Sequence, residues 1–360
     1  MLRILPICLI LNMVISCQPV QKEEATAPFV KGVYGNPATL LEAGYSFDSL
    51  GMNAVFVRSI SLNRSFFDTA KKQGCRVFVE FPTLNGKEYL KDHPEAWPIT
   101  ETGAPAEPAD WFMGICPTHE GFKAYRISQL QEILNEFDVD GIFLDYFHWH
   151  AQFETPEPIL PETCFCDRCT SLFANDFGKE IPGTSIEEKA SWILDHADAD
   201  WRKWRNKQLN GWADAMHITL KQIKPNALLG VYYCAWYPED FDGALYKTLG
   251  IDVTALAERA DVLSPMLFHQ LKDRPVSWVG EYLSWLDQEI LAGSSGKPEI
   301  WPIVQAYNNP GIITPEEFRE VMVQGSRPPA TGIMMFSDVA LVQEPGKVTV
   351  MKELYQTVLK

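Results

Sequence analysis

The chain has 360 residues and a formal net charge of −16 without a basic cluster, which argues against nucleic acid, since phosphates attract dense lysine and arginine. The same charge argues against binding to an anionic membrane surface. Aromatic residues make up 12% of the chain and include 11 tryptophans, a content that suits stacking on sugar rings as well as core packing.

The first residues predict an export signal. Arg3 precedes an apolar run over residues 4–15, which falls short of the ~20 residues that a membrane span needs. The ending Val14-Ile-Ser-Cys17 resembles the lipobox of bacterial lipoproteins, with Cys17 as the lipidated first residue of the mature chain. A plain secretory signal is the alternative. We therefore expect a lipoprotein signal peptide over residues 1–17.

Residues 18–28 are too polar to pack and are predicted to form a flexible tether. Within them, Lys22-Glu-Glu24 resembles the acidic signal that sends some Gram-negative lipoproteins to the cell surface. The sequence thus predicts export across the inner membrane and a lipid anchor in the outer membrane as the sole membrane contact. Residues 29–360 are expected to form a single catalytic domain. The sequence gives no indication of the oligomeric state.

Apolar runs typical of buried strands recur along the chain. There are eight of them, over residues 30–34, 54–59, 76–81, 141–147, 228–235, 262–268, 300–306 and 332–336. Helix-like stretches separate most of them, over residues 66–73, 121–137, 201–223, 253–260, 276–292 and 315–324. Strands that alternate with helices predict βαβ units, and eight such strands predict a (β/α)8 TIM barrel.

Two connections are much longer than the others, over residues 82–120 and 149–200, and we interpret them as insertions after strands 3 and 4. Both follow the carboxyl ends of strands, where barrels carry function. A doubly wound sheet is the alternative fold. No glycine-rich phosphate loop follows the first strand, where Gly32-Val-Tyr-Gly35 is a weak substitute, and we expect no organic cofactor.

The strand ends collect carboxylates and aromatic residues. Splitting a glycosidic bond needs two carboxyl groups, one as acid and one as nucleophile or base. The carboxylates at or near strand ends are Glu80, Asp145, Glu239 and Asp338. The side chains predicted to contact the sugar are Arg58, Tyr146, His148, Trp149, Tyr232, Trp236, Gln305 and Tyr307. This set predicts a carbohydrate substrate at the carboxyl-terminal face of the barrel.

The order of several loose motifs resembles a group of hypothetical glycoside hydrolases with barrel folds. These motifs are His93-Pro-Glu-Ala-Trp97, Cys116-Pro-Thr-His-Glu120, Asp140-Gly-Ile-Phe-Leu-Asp-Tyr146, Cys164-Phe-Cys-Asp-Arg-Cys169 and Ala260-Asp-Val-Leu-Ser-Pro-Met266. The resemblance covers most of the mature chain and implies a TIM barrel that hydrolyses an O-glycosyl bond.

Four cysteines form a set with metal-ligand spacing: Cys116, Cys164, Cys166 and Cys169. The set is similar to the zinc cluster of the family 42 β-galactosidases and can close tetrahedrally on a structural zinc. The alternative is a pair of disulfides, because cysteines outside the cytoplasm tend to be oxidised.

This chain differs from the family 42 β-galactosidases at the positions of their catalytic residues. The family 42 enzymes carry their catalytic glutamates after the fourth and seventh strands, where this chain has Asp145-Tyr146 and Gln305. Asp145 is instead similar to the nucleophile position of α-amylase-like and α-galactosidase-like barrels, and we predict that it is the nucleophile or an inverting base. The acid is left open among Glu239, which follows the fifth strand as in amylase-like enzymes, Glu80 and Asp338.

Two other functions fit the sequence. The missing glutamate pair favours a surface lipoprotein that binds glycans without cleaving them. A metal-dependent deacetylase or phosphodiesterase would require His148 or His150 to converge with Asp145 on an ion.

Overall fold

The computed structural model describes residues 28–109 and 111–358, so Cys17, the predicted signal peptide and most of the predicted tether lie outside the described residues. In the described ranges the strands are β1 (Val30–Gly35), β2 (Ala54–Arg58), β3 (Arg76–Pro82), β4 (Gly141–Asp145), β5 (Leu228–Cys234), β6 (Val262–Leu267), β7 (Glu299–Ile300), β8 (Ile303–Gln305) and β9 (Gly332–Phe336). All of their pairings are parallel, and they run in order around the sheet until β9 pairs with β1.

The strands close into an eight-membered barrel, because β7 and β8 both pair with β6 and occupy one position. The predicted (β/α)8 fold is confirmed. The seventh predicted strand, over residues 300–306, is interrupted at Trp301-Pro302. Proline has no N–H to donate to a neighbouring strand, which explains the break.

The helices of the described ranges surround the barrel. They are α1 (Ala38–Glu42), α2 (Arg64–Lys72), α3 (Glu120–Glu136), α4 (Asp167–Phe177), α5 (Ile186–His196), α6 (Asp198–Ile223), α7 (Ala244–Lys247), α8 (Val253–Ala257), α9 (Ser277–Trp285), α10 (Pro315–Gly325), α11 (Asp338–Gln343) and α12 (Pro345–Glu353). Two of them continue as π-helical turns, α9 over Leu286–Leu291 and α12 over Leu354–Val358. Among the described residues, no helix has the length and apolarity to cross a membrane.

A layer of aromatic rings fills the lower barrel. Phe56, Phe78 and Phe143 lie on β2, β3 and β4, with ring centroids 4.9 to 5.5 Å apart, and Trp301 packs 5.2 Å from Phe78. Glycines on neighbouring strands make room for these rings, since a Cβ at residue 230 would lie 2.2 Å from the Phe143 ring. Large and small residues thus alternate around the barrel, and the aromatic layer closes it from below.

The long connection after β4 is anchored by α6. Trp201 and Trp204 of that helix are fully buried and stack with centroids 4.9 Å apart. Trp201 also packs on Phe165 at 5.0 Å, and Trp204 lies 6.1 Å from Trp149. This apolar contact fixes the irregular segment against a rigid helix and so positions the residues that follow Asp145.

Candidate active site

Polar side chains form the next layer above the aromatic rings. Side chains in a strand alternate between the two faces, so residues two positions beyond the aromatic layer also point into the barrel. On β2, β3 and β4 these residues are Arg58, Glu80 and Asp145, and β1 and β5 supply Tyr34 and Tyr232. The barrel therefore brings two carboxyl groups, a guanidinium and two phenols together at its carboxyl-terminal mouth.

Asp145 is held at the end of β4 by two hydrogen bonds. The Tyr34 hydroxyl donates to Oδ2 over 2.8 Å, and the backbone N–H of Tyr146 donates to Oδ1 over 2.8 Å. Burial raises the pKa of Asp145, while these hydrogen bonds and the charge of Arg58 act in the opposite direction. The carboxylate is therefore oriented and partly desolvated, as a nucleophile or base requires.

Tyr146 has a φ of 50°, a left-handed conformation that is uncommon for a residue with a side chain. This backbone turns the Tyr146 ring onto Phe112, with the centroids 5.1 Å apart and the planes 8° from parallel. Residues held in such conformations cluster at functional sites. The strained residue directly follows Asp145.

Glu80 lies one strand away and deeper, with only 4% of its surface exposed. It is paired in register with Arg58 of the neighbouring strand. Burial and the negative charge of Asp145 raise the pKa of Glu80 to about 8, against the opposing charge of Arg58. At neutral pH Glu80 is mainly neutral, which removes a like charge from the side of Asp145.

A third carboxyl group, Glu154, reaches the site from the loop after β4. Burial and the negative charge of Asp145 raise its pKa to about 7, while Lys272 lowers it. Lys272 is itself held in place, since its ammonium donates to the backbone oxygen of Phe153. Glu154 was not among the site residues predicted from the sequence, because it stands in an irregular segment nine residues beyond the strand end. Its one signal is its place in the loop that follows the strand of Asp145.

An open cleft of about 950 Å³ begins at the barrel mouth and runs outward along α3. Its walls include Arg58, Glu80 and Asp145 at the inner end and Tyr89 and Arg126 at the outer end. A cleft of this size accommodates several sugar units. The catalytic candidates therefore face a volume that admits an oligosaccharide.

A small second cavity of about 20 Å³ adjoins the cleft. Both volumes are lined by Trp111, Asp145, Tyr146 and Glu154. Asp145 and Glu154 are thus the two carboxyl groups that line both volumes.

The predicted sugar contacts fall into two groups. Arg58, Tyr146 and Tyr307 line the cleft, and His148 lines the small cavity. The other four are buried and do not line either volume: Trp149, Tyr232, Trp236 and Gln305.

Three of these four buried residues are engaged by contacts within the protein. The Trp149 indole donates to the backbone oxygen of Arg205 over 3.2 Å, and Trp236 packs against Phe153. Gln305 accepts from two backbone N–H groups and donates to the backbone oxygens of Tyr307 and Asn309. Its amide therefore orders the loop that carries Tyr307 and has no hydrogen left to donate to a sugar.

Two of the predicted acid candidates also lie away from the cleft. Glu239 follows β5 but is exposed and lines neither volume. Asp338 is 2% exposed at the start of α11, where its Oδ1 accepts from the backbone N–H of Asn36 over 3.0 Å. The structure therefore brings Glu80 together with Asp145 but does not bring Glu239 or Asp338 to the cleft.

Burial lowers the pKa of both histidines after β4, and both rings are tied to the backbone. Burial lowers the pKa of His148 to about 4, and its Nδ1 lies 2.8 Å from the Trp149 backbone oxygen. His150 accepts from the Gly114 N–H at Nδ1, and its Nε2 lies 2.8 Å from the backbone oxygen of Glu107. Both ring nitrogens of His150 are thus engaged, and it does not meet Asp145 in a group of convergent metal ligands among residues 28–109 and 111–358.

The four predicted cysteines do converge. All four Sγ atoms, of Cys116, Cys164, Cys166 and Cys169, lie within 4.8 Å of one another, and none forms a disulfide. Four thiolates around a tetrahedral zinc stand about 3.8 Å apart, given Zn–S bonds of about 2.3 Å. The backbone N–H of Ile99 donates to the Cys164 sulfur over 3.3 Å, a contact of the kind that orients a metal ligand. The cluster can therefore bind a metal ion.

The cysteine cluster lies outside the cleft and the small cavity. Cys116 lies near the end of the connection that follows β3. In the connection that follows β4, Cys164 and Cys166 directly precede α4, and Cys169 lies in its first turn. A metal ion here would join the two long connections to each other. With four sulfur ligands it would have no open position for a substrate, so its contribution would be structural.

Comparison with known proteins gives no matching family model and no matching curated protein. Solved structures do match. The glycoside hydrolase domain of PgaB (BpsB) from Bordetella bronchiseptica has a TM-score of 0.68 at 13% identity, over 91% of this chain and 99% of that one. A β-galactosidase from Rahnella sp. R3 has a TM-score of 0.67 at 11% identity, over 93% of this chain and 56% of that one. One from Bacillus circulans sp. alkalophilus has a TM-score of 0.66 at 15% identity, over 91% and 56%.

The structural neighbours are glycoside hydrolases. This confirms the resemblance to barrel glycoside hydrolases that the ordered motifs indicated. The chain spans a little over half the length of the two β-galactosidases. At identities of 11 to 15% the likeness shows the fold, and the chemistry has to come from the residues at the barrel mouth.

Proposed function

We propose that this protein is a glycoside hydrolase that cleaves an oligo- or polysaccharide, with Asp145 and Glu154 as its catalytic carboxyl groups. The observation that carries the proposal is their shared position, because both line the cleft and the small cavity. Hydrolysis needs one ionised and one protonated carboxyl group, and differences in environment supply that pair.

The roles follow from the surroundings of each group. Glu154 has its pKa raised to about 7 and is half-buried, so it holds a proton near neutral pH and can recover one from solvent. We assign it as the acid that protonates the glycosidic oxygen. Asp145 accepts two hydrogen bonds that favour its ionised form. We assign it as the group that attacks the anomeric carbon or deprotonates the attacking water.

The remaining polar residues bind and position. Arg58 and Tyr307 on the cleft wall are placed to meet sugar hydroxyls, and Trp111 offers an indole that is 43% exposed. Glu80 is the alternative acid, although its 4% exposure leaves little surface for a leaving group. We therefore assign Glu80 a neutral, supporting role beside Asp145.

The proposal has one competitor, a lipoprotein that binds glycans without cleaving them. The absence of the family 42 glutamate pair favours it, while the hydrogen-bonded Asp145 beside a carboxyl group of raised pKa opposes it. A screen of polysaccharides for released reducing ends separates the two. Release from at least one glycan supports hydrolysis, and saturable binding without release from any bound glycan supports the competitor.

We further propose that the cysteine cluster holds a structural zinc and that the chain is a lipoprotein anchored to the outer membrane through Cys17. The convergent sulfurs support the first proposal. The Val14-Ile-Ser-Cys17 sequence supports the second. Mass spectrometry of the mature amino terminus tests the anchor. A diacylglyceryl group on Cys17 is expected, and an unmodified mature chain that begins at another residue would contradict it.

A further inference from the structure

The small cavity beside the catalytic pair has a definite shape and chemistry. Its volume of about 20 Å³ exceeds the ~10–15 Å³ that one water-sized group requires, so it admits one small group and excludes a second. The walls away from the carboxyl groups are chiefly apolar and aromatic, from Ala109, Phe112, Ala151 and Phe153. A hydroxyl placed among these walls would lose hydrogen bonds to water, whereas a methyl group would gain contact.

Two aromatic walls of the cavity are packed against neighbouring rings. Phe112 is 3% exposed and stacks on Tyr146 and on His150, with centroids 5.1 and 5.6 Å apart. Phe153 packs edge-on against His148 at 5.0 Å. Because these rings support one another and are buried, the cavity is formed before a ligand binds, which lowers the entropic cost of binding.

Polar groups are also present in the cavity lining. Asp145 and Glu154 lie there beside the open cleft, and His148 and Gln152 are the other polar lining residues. A sugar substituent that ends in a methyl group would place that methyl among the aromatic rings. The atom that joins the substituent to the sugar would then lie beside the carboxyl groups. We propose that the sugar unit bound at Asp145 carries a methyl-terminated substituent, which this cavity receives. The methyl is supplied by an acetamido group or by C6 of a 6-deoxy sugar.

This inference rests on the proposed glycoside hydrolase function and adds the substrate class. A methyl group in a hydrophobic pocket changes affinity by about 10–200-fold. Sugars with the methyl are therefore expected to bind at least about 10-fold more tightly than matched sugars that lack it.

The test is a calorimetric or NMR titration of the protein with matched sugar pairs. One arm compares N-acetylglucosamine with N-formylglucosamine and N-acetylgalactosamine with N-formylgalactosamine, so that the amide is kept and the methyl alone is removed. The other arm compares L-fucose with L-galactose and L-rhamnose with L-mannose. We expect the methyl-bearing member to bind more tightly in one arm, and that arm identifies the source of the methyl. Equal affinities within every pair would overturn the proposal.

Two variants test whether the affinity ratio within the favoured pair depends on this cavity. Ala151→Leu fills the cavity and is expected to bring the affinity ratio within the favoured pair to about 1. Ala174→Leu makes the same change on α4, away from the cleft, and should keep the wild-type ratio. If Ala151→Leu does not fold, Ala109→Val serves instead. A preference that persists in the folded cavity-filling variant would contradict the assignment.

Cleavage is scored separately from binding, so the two proposals fail in different ways. If the protein hydrolyses a glycan but binds both members of every pair equally, the assignment of the cavity to a methyl group is contradicted. The hydrolase proposal is then still supported. If the protein neither binds nor cleaves any sugar, the proposed function is overturned and the cavity assignment falls with it.

Discussion

Tyr34 donates its phenolic hydrogen to Oδ2 of Asp145 over 2.8 Å, which joins the first strand of the barrel to the fourth. Burial and the nearby negative charges raise the pKa of Tyr34 well above its usual value, so it stays a donor at working pH. The hydrogen bond lowers the pKa of Asp145 against the effect of burial. Tyr34 is therefore a positioning residue whose hydrogen bond favours the ionised form of Asp145.

Tyr34→Phe is expected to raise the pKa of Asp145, because the ionised form loses a hydrogen bond. A hydrogen bond to a charged group is worth about 1.5–3 kcal/mol, which corresponds to about one to two pH units. The acidic limb of the kcat/KM profile should move up by about one to two pH units. Tyr355→Phe is the control, since Tyr355 donates to the Gly32 backbone oxygen on the same strand without touching Asp145. An unshifted limb in Tyr34→Phe would show that the hydrogen bond does not control Asp145.

Glu154→Gln should lower kcat by about 10²–10⁴-fold on natural glycans, the usual contribution of a general acid. It should also remove the alkaline limb near pH 7, where Glu154 loses its proton. Dinitrophenyl glycosides have leaving groups that need no protonation, so the variant should cleave them at near wild-type rates. Glu157→Gln, an exposed carboxyl group in the same loop, is the matched control and should behave as wild type. Equal losses on both substrate types would assign Glu154 another role.

The raised pKa of Glu80 predicts how the stability of the protein depends on pH. Its pKa in the folded protein is about 8, against a usual value of 4.5, so the folded state binds the proton more tightly than the unfolded state. The free energy of unfolding should therefore fall as pH rises from about 4.5 to about 8. Glu80→Gln carries no charge and loses this contribution. Its Tm relative to wild type should rise across that window in scanning calorimetry. Parallel Tm–pH curves would mean that Glu80 is not perturbed.

The convergence of the four cysteines predicts that the purified protein contains a bound metal ion. The purified protein should contain about one zinc per chain by elemental analysis, and Cys169→Ser should lose it. Removal of a structural zinc costs several kcal/mol, so Tm should fall by roughly 10 °C or more. Cys75→Ala, at a buried thiol outside the cluster, should keep its zinc. Two disulfides and no metal would establish the oxidised alternative.

Much of the barrel could be predicted from the sequence, since buried parallel strands appear as short apolar runs between helices. Each of the eight predicted runs overlaps a strand, and the runs led to Glu80 and Asp145 at the mouth. The break at Pro302 within the seventh run was not predicted, although the proline that explains it is visible in the sequence.

The candidate site was predicted less completely, for a physical reason. A residue after a strand is near the mouth, but its hydrogen-bond partners come from other parts of the chain. Gln305 is taken up by the backbone of residues 270–271 and 307–309, and Trp149 is packed on α6. Glu154 enters through an irregular loop whose path has no periodic pattern in sequence. Such long-range contacts carry no local signal.

The central claim is that Asp145 performs the chemistry of a hydrolase. The most direct test is hydrolysis of a broad glycan panel by wild type, Asp145→Asn and Glu239→Gln, the last an exposed carboxyl group after β5 that does not line the cleft. We predict that wild type and Glu239→Gln cleave the same glycan. Asp145→Asn should fold and bind this glycan but cleave it at least about 10³-fold more slowly than wild type. Cleavage that is unchanged in Asp145→Asn would contradict the account.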